Sequence, residues 1–288
     1  MRYNKQDYSS YREQIRYFFY LSRPRFWIYL FGPFLIGAIA SVQGPFFFSL
    51  YFFVFGLYFL FPANFFLYAI NDAFDYETDK MNPKKKGYEQ IVTPLQRKNV
   101  CIAATLVMLP FLIYGFYSSF IVGCILLAFL FLSWQYSAPP IRAKARPFLD
   151  MAFNSLYILP GLLAYFLWTE TFPPLGIFLA GICWTMAMHA YSAVPDIDSD
   201  KKAGLATIAT VLGYDRTLLL CLFLYVISSI VATKYLGFMS LMLGGVYVTL
   251  MTLSLLTKQE YIFIYYKKFP LINTIMGGLL FLFILLSK

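Results

Sequence analysis

Long apolar runs, separated by short polar or Pro/Gly-containing breaks, fill most of this chain. Nine of them predict membrane-spanning helices, near residues 26–42, 46–70, 98–116, 119–138, 148–168, 174–195, 215–233, 237–256 and 269–287. The predicted fold class is therefore all-α and integral to a membrane, with nine spans around a central cavity. Residues 1–25 are charged and tyrosine-rich and read as a cytoplasmic segment; residues 26–288 read as a single membrane domain.

Composition agrees with the pattern. The chain is 60% hydrophobic, 21% aromatic and only 13% charged, more apolar surface than a soluble domain can cover. Its four cysteines fall singly inside apolar runs, so neither a disulfide framework nor a zinc site is expected.

The basic residues test the topology. With the N-terminus in the cytoplasm, 21 of the 23 Lys and Arg fall on the inner side, and only Lys234 and Lys288 fall outside. Such asymmetry in short loops follows the positive-inside bias. The net charge of +9 then needs no nucleic-acid partner, because the bias and anionic lipid headgroups account for it. The expectation is a multi-pass protein of a bacterial cytoplasmic membrane.

Acidic residues are scarce, and seven of the 14 lie in two short segments, 71–79 and 196–200. Carboxylates beside a bilayer are costly unless something compensates them. Both segments fall on the predicted cytoplasmic side, so they are able to meet. On a continuous helix, residues four apart are displaced by only about 40°. That puts Asn71, Asp75 and Asp79 on one face, and Asp196 and Asp200 on another. Asp72 and Asp198 lean away.

Oxygen ligands without His or Cys suit Mg2+, which binds through a few carboxylates plus substrate phosphates. Arg23, Lys84, Arg142, Lys144, Lys201 and Lys202 occur on the same side and could clamp a diphosphate. Helical spacing places Asn64 and Tyr68 beneath the first segment, and Ser192 and His189, the only histidine, beneath the second. Asn154 could face the same pocket. His189 reads equally as an acceptor contact, a proton acceptor or an interhelical hydrogen bond.

These residues resemble a family. Asn71-Asp72-x-x-Asp75-x-x-x-Asp79 is similar to the first motif of the UbiA superfamily of intramembrane prenyltransferases. Tyr191-x-x-x-x-Asp196-x-x-x-Asp200, followed by Lys201, Lys202 and Gly204, is similar to its second. The stretches Ser22 to Trp27, Asn82 to Lys85, Tyr136 to Arg142 and Arg146 to Asp150 resemble the lycopene elongase branch, which adds dimethylallyl units to the ends of a C40 carotenoid. The loop after Asp79 departs from the quinone-type members, being Lys-rich where they carry Asn-Arg-Pro-Leu.

The resemblance implies a prenyltransferase that uses Mg2+ to draw diphosphate from an allylic prenyl donor. Asp75 and Asp196 would be central to catalysis, and Tyr191 would orient the leaving group. The cation so formed needs a dry, π-rich cavity, which 24 Tyr and 32 Phe can supply. The implied partners are a prenyl diphosphate, dimethylallyl or longer, and a hydrophobic acceptor of lycopene type, in a lipid bilayer. A quinone precursor or other aromatic or lipid acceptor is the alternative. An ion-coupled transporter is the more distant reading.

Overall fold

The computed structural model describes residues 11–41, 49–79 and 90–288. These residues form helices and connecting turns, in the order α1 (Tyr11–Leu21), α2 (Ile28–Ser41), α3 (Leu50–Leu60), α4 (Pro62–Phe74), α5 (Tyr76–Asp79), α6 (Arg97–Ser118), α7 (Phe120–Ser137) and α8 (Leu149–Phe153). They continue with α9 (Leu159–Thr169), α10 (Leu175–Ala193), α11 (Ile197–Lys202), α12 (Ile208–Leu212), α13 (Tyr214–Leu236), α14 (Phe238–Leu255), α15 (Ile262–Tyr266) and α16 (Phe269–Leu286).

Eight stretches among the described residues are long and apolar enough to cross a membrane, or nine if a bent pair counts as one span. That pair is Arg12–Phe26 with Ile28–Ser41, bent by 60°. The bend has a physical meaning. At 1.5 Å per residue, the 14 residues of α2 reach only about 21 Å, less than a hydrocarbon core. The expected N-terminal segment is a docked element of the fold, because Tyr17 and Leu21 of α1 are buried in the core.

Two spans are interrupted in ways that place the chemistry. Pro62 splits the second span, and Asn64 repairs the break: its Nδ2 donates to the carbonyls of Phe59 (2.7 Å) and Leu60 (3.1 Å). Backbone carbonyls freed in a membrane must find such partners. The predicted helix 148–168 is also divided, into α8, a 3-10 turn over Asn154–Ile158, and α9.

The helices pack around two apolar cores. One gathers side chains of α1–α4, α6, α7 and α9; the other those of α8 and α10–α16. Large apolar residues such as Ile113, Phe223 and Leu271 are exposed, as expected of a lipid-facing surface. Small residues allow the closest helix contact. A Cβ added to Gly37 of α2 would strike the backbone of Gly161 in α9.

Asp150 is a second fixed point. Its carboxylate is fully buried and accepts from the backbone N–H of Met151 (2.9 Å) and from Ile208 N–H at the start of α12 (2.7 Å). An ionised acceptor thus ties α8 to the helix that follows the second acidic segment.

Two stability effects are expected in detergent-solubilised protein. Gly37→Ala forces α2 from α9 and should cost about 2 kcal/mol, read as a lower midpoint of thermal unfolding. Asp150→Ala strands two buried donors and should cost about 3 kcal/mol, whereas Asp150→Asn, which keeps an acceptor for one of them, should cost less.

Candidate active site

Both acidic segments sit where a helix breaks. α4 ends at Phe74, Asp75 lies outside it with φ −110° and ψ 8°, and α5 resumes at Tyr76. α10 ends at Ala193, a 3-10 turn over Val194–Asp196 follows, and α11 starts at Ile197. The single helical face expected through each segment is therefore corrected. In the second segment Pro195 is the cause, since it lacks an N–H and clashes with the preceding turn.

The first segment carries three buried carboxylates, Asp72 at 1% exposure, Asp75 at 7% and Asp79 at 6%. Cations reach them from distant parts of the chain. Arg23, just after α1, donates to Asp72 Oδ1 at 2.6 Å, and its guanidinium lies over the Tyr68 ring at 4.7 Å. Lys144, between α7 and α8, forms an ion pair with Asp75. Burial pulls the Lys144 pKa down to about 7, while the charges of Asp72 and Asp200 act to raise it. Lys144 therefore lies within electrostatic reach of both acidic segments. In the second segment Asp196 and Asp200 are half-buried, while Asp198 is exposed and accepts from Gln259 Nε2 at 3.4 Å.

The other expected phosphate ligands divide. Arg142, Lys201 and Lys202 are exposed, the last two directly following Asp200 in the chain, and Lys84 lies outside the described residues. Arg23 and Arg142 both adopt left-handed backbone, φ 50° and 46°. Such conformations cost a non-glycine residue energy and cluster at functional sites. Nothing in the residue pattern signals this.

Beneath the charges lies an aromatic floor. Tyr68 packs on Phe26 at 5.9 Å, Phe26 meets Tyr29 edge-on at 5.8 Å, and Tyr29 meets Tyr157 edge-on at 6.2 Å. Tyr136 meets the His189 ring edge-on at 6.0 Å, and Asn154 Nδ2 donates to the backbone carbonyl of Asp150 at 2.8 Å. His189 Nε2 stands 3.8 Å from Asp150 Oδ2. Asn71 Nδ2 donates to Ser137 Oγ at 3.0 Å, fixing α4 to α7 at this level. The structure thus brings Tyr68, Asn154 and His189 together.

Two other expected pocket residues, Asn64 and Ser192, and Tyr191, expected to orient the leaving group, make their contacts within or between helices. Asn64 is fully buried in the helix break described above. Ser192 Oγ donates to the Met188 carbonyl of its own helix at 2.8 Å. Tyr191 is 0% exposed, packs on Phe269 at 4.9 Å, and its hydroxyl is 3.1 Å from Ser254 Oγ. That position is in the interface of α10 with α14 and α16. Sequence reasoning assigned no role to Tyr136, Tyr157 or Asp150, although Tyr136 and Asp150 fall inside the stretches that carry the narrower resemblance.

The donor set fits Mg2+: carboxylate and amide oxygens, no soft ligand, and buried anions that need cationic charge. Among the described residues, no three acidic, His or Cys side chains converge closely enough to hold an ion alone. Mg2+ bound together with substrate phosphates would need only one or two of these carboxylates.

Below the floor a cavity of about 800 Å³ runs between α2, α9, α10, α13, α14 and α16. It begins at Tyr29, Tyr157 and Asn273 and ends at Pro173, Tyr235 and Ser287. Its walls are mostly apolar.

Comparison with known proteins agrees with this arrangement. A lycopene elongase/hydratase of Halobacterium salinarum is 41% identical over 218 residues, 75% of this chain and 78% of that protein. One from Haloferax volcanii is 36% identical over 280 residues, 93% of this chain and 88% of its own. The structure of a UbiA homolog from Archaeoglobus fulgidus bound to DMAPP and Mg2+ shares the fold. Its TM-score is 0.70 at 19% identity, covering 94% of this chain and 100% of that one. The profile of the UbiA prenyltransferase family matches residues 30–261. With two acidic segments, an aromatic floor and an apolar cavity stacked in one helical bundle, the chain belongs to the UbiA prenyltransferase family.

Proposed function

We propose that this prenyltransferase moves a dimethylallyl group from its diphosphate onto the end of a lycopene-type carotenoid, within the bilayer. The observation that carries the acceptor assignment is the 36% identity with a lycopene elongase/hydratase across 93% of the chain. The proposed orientation puts the acidic segments at the cytoplasmic face, which the distribution of Lys and Arg supports.

The proposed roles follow the layers of the site. Asn71, Asp75, Asp79, Asp196 and Asp200 hold Mg2+. When bound, the metal supplies Lewis-acid neutralisation of the departing diphosphate. Arg23, Lys144 and Arg142, with Lys84, Lys201 and Lys202 at the rim, orient the diphosphate and stabilise the charge it gains. Arg23 and Lys144 serve this role from within the acidic cluster, where low dielectric strengthens them.

The donor's C–O bond breaks and its electron pair leaves with the diphosphate. The allylic cation rests against Tyr68, Tyr136 and Tyr157, whose rings shield it from water and stabilise positive charge. A terminal double bond of the acceptor supplies the electrons of the new C–C bond. The positive charge passes to the acceptor, and the reaction ends when a proton departs or a water adds and loses one. His189, held near Asp150, is the proposed proton acceptor. Tyr191 holds the second acidic segment in place through its packing on Phe269 and its contact with Ser254.

Removing a central carboxylate is expected to abolish the reaction. Asp75→Ala or Asp196→Ala should lower Mg2+-dependent diphosphate release about 1,000-fold or more, and full activity in either would refute the metal assignment. Expression in a lycopene-producing host should yield pigments heavier by one or two C5 units, detected by mass spectrometry. Unchanged lycopene, with prenylation of an aromatic acid instead, would sink the carotenoid assignment.

A further inference from the structure

The cavity is deeper than the proposed donor requires. Its wall on α16 runs from Asn273 to Lys288, about 22 Å at the rise of a helix. Its wall on α2 runs from Ile28 to Ala40, about 18 Å. A dimethylallyl group held at the acidic end fills only the top of this space. The lower part is framed by Ile36, Ile177, Leu243 and Phe281, with polar groups returning at the far mouth in Tyr235 and Ser287.

We infer that the cavity is the acceptor's slot. One linear hydrocarbon chain lies along the bundle axis, with its reacting end beneath Tyr68 and Tyr157 and its tail directed towards the far mouth. The inference rests on the proposed five-carbon donor, since a long donor would claim the same depth. An apolar channel of this shape favours an acyclic, extended chain over a compact ring, because burial gains scale with the length enclosed.

Two residues control that depth. Gly277 and Gly278 of α16 line the cavity, about 6 Å below Asn273 along the helix. A Cβ at either would meet nothing within 4 Å. Other cavity glycines are different: Gly37 abuts Gly161, and Gly244 abuts Ser229. Side chains introduced at 277 and 278 therefore have open space beside the cavity, with Gly277 the more enclosed of the two, and would shorten the slot. The space above them stays large enough for the donor's allyl group.

The test uses purified full-length protein in lipid vesicles with Mg2+ and dimethylallyl diphosphate. Wild type, Gly277→Phe and Gly278→Phe are compared on lycopene, on a two-unit acyclic isoprenoid hydrocarbon with the same end group, and without acceptor. Lycopene prenylation should fall about ten-fold or more in both variants. Diphosphate release without acceptor, and prenylation of the short hydrocarbon, should each stay within about two-fold of wild type. Gly278→Val provides a smaller plug with an intermediate effect on lycopene, should Phe impair insertion. Unchanged lycopene turnover in the plugged variants overturns the slot, as does a parallel loss of all three activities. Wild type inactive on lycopene would instead remove the carotenoid assignment, and the slot with it.

Discussion

Carboxylates at the edge of a hydrocarbon layer set the terms for this protein. Three of them are nearly inaccessible, and burying a charge is costly unless cations stand beside it. The chain supplies two of these cations from separate places, one after α1 and one between α7 and α8. Each is held by its own strained or tightly turned backbone, so the cations are anchored independently of one another. The rest of the upper bundle positions these anchors: α1 through Tyr17 and Leu21, and the 143–150 region through Asp150.

The layering beneath has a simple physical logic. Charge sits at the top, hydroxyl-bearing rings in the middle, and hydrocarbon below. In the proposed reaction a cation generated at the first boundary would meet π-faces before bulk water, and the acceptor would approach from the apolar side. Arg23 crosses the first boundary, touching both a carboxylate and the Tyr68 ring. It joins the anion-holding and cation-shielding layers in one residue.

The spans were legible because hydropathy is read along one dimension; the run 215–233 became Tyr214–Leu236 almost unaltered. The acidic segments stood out because acids are rare elsewhere. Breaks inside spans were harder to see. In 148–168 the one sequence sign of the break is Pro160, at the second position of α9, and a continuous apolar run masks it. Polar residues within spans were ambiguous as well. Asn64 and Asn154 read alike as candidates for the pocket, yet one repairs a proline break and the other donates to the Asp150 carbonyl one turn earlier. Lys144 could not be ranked above Lys201 or Lys202 from the sequence, because its burial follows from how residues 138–148 fold back over the acidic cluster.

Arg23 also changes what the start of the chain means. By hydropathy residues 1–25 are a charged segment outside the first predicted span. In three dimensions the turn after α1 holds the Arg23 guanidinium beside Asp72 and over the Tyr68 ring. A version of the protein trimmed to its apolar boundary would insert and span the membrane yet carry an altered charge balance at its reactive end. Anything attached close to α1 acts, in the same way, on the chemistry.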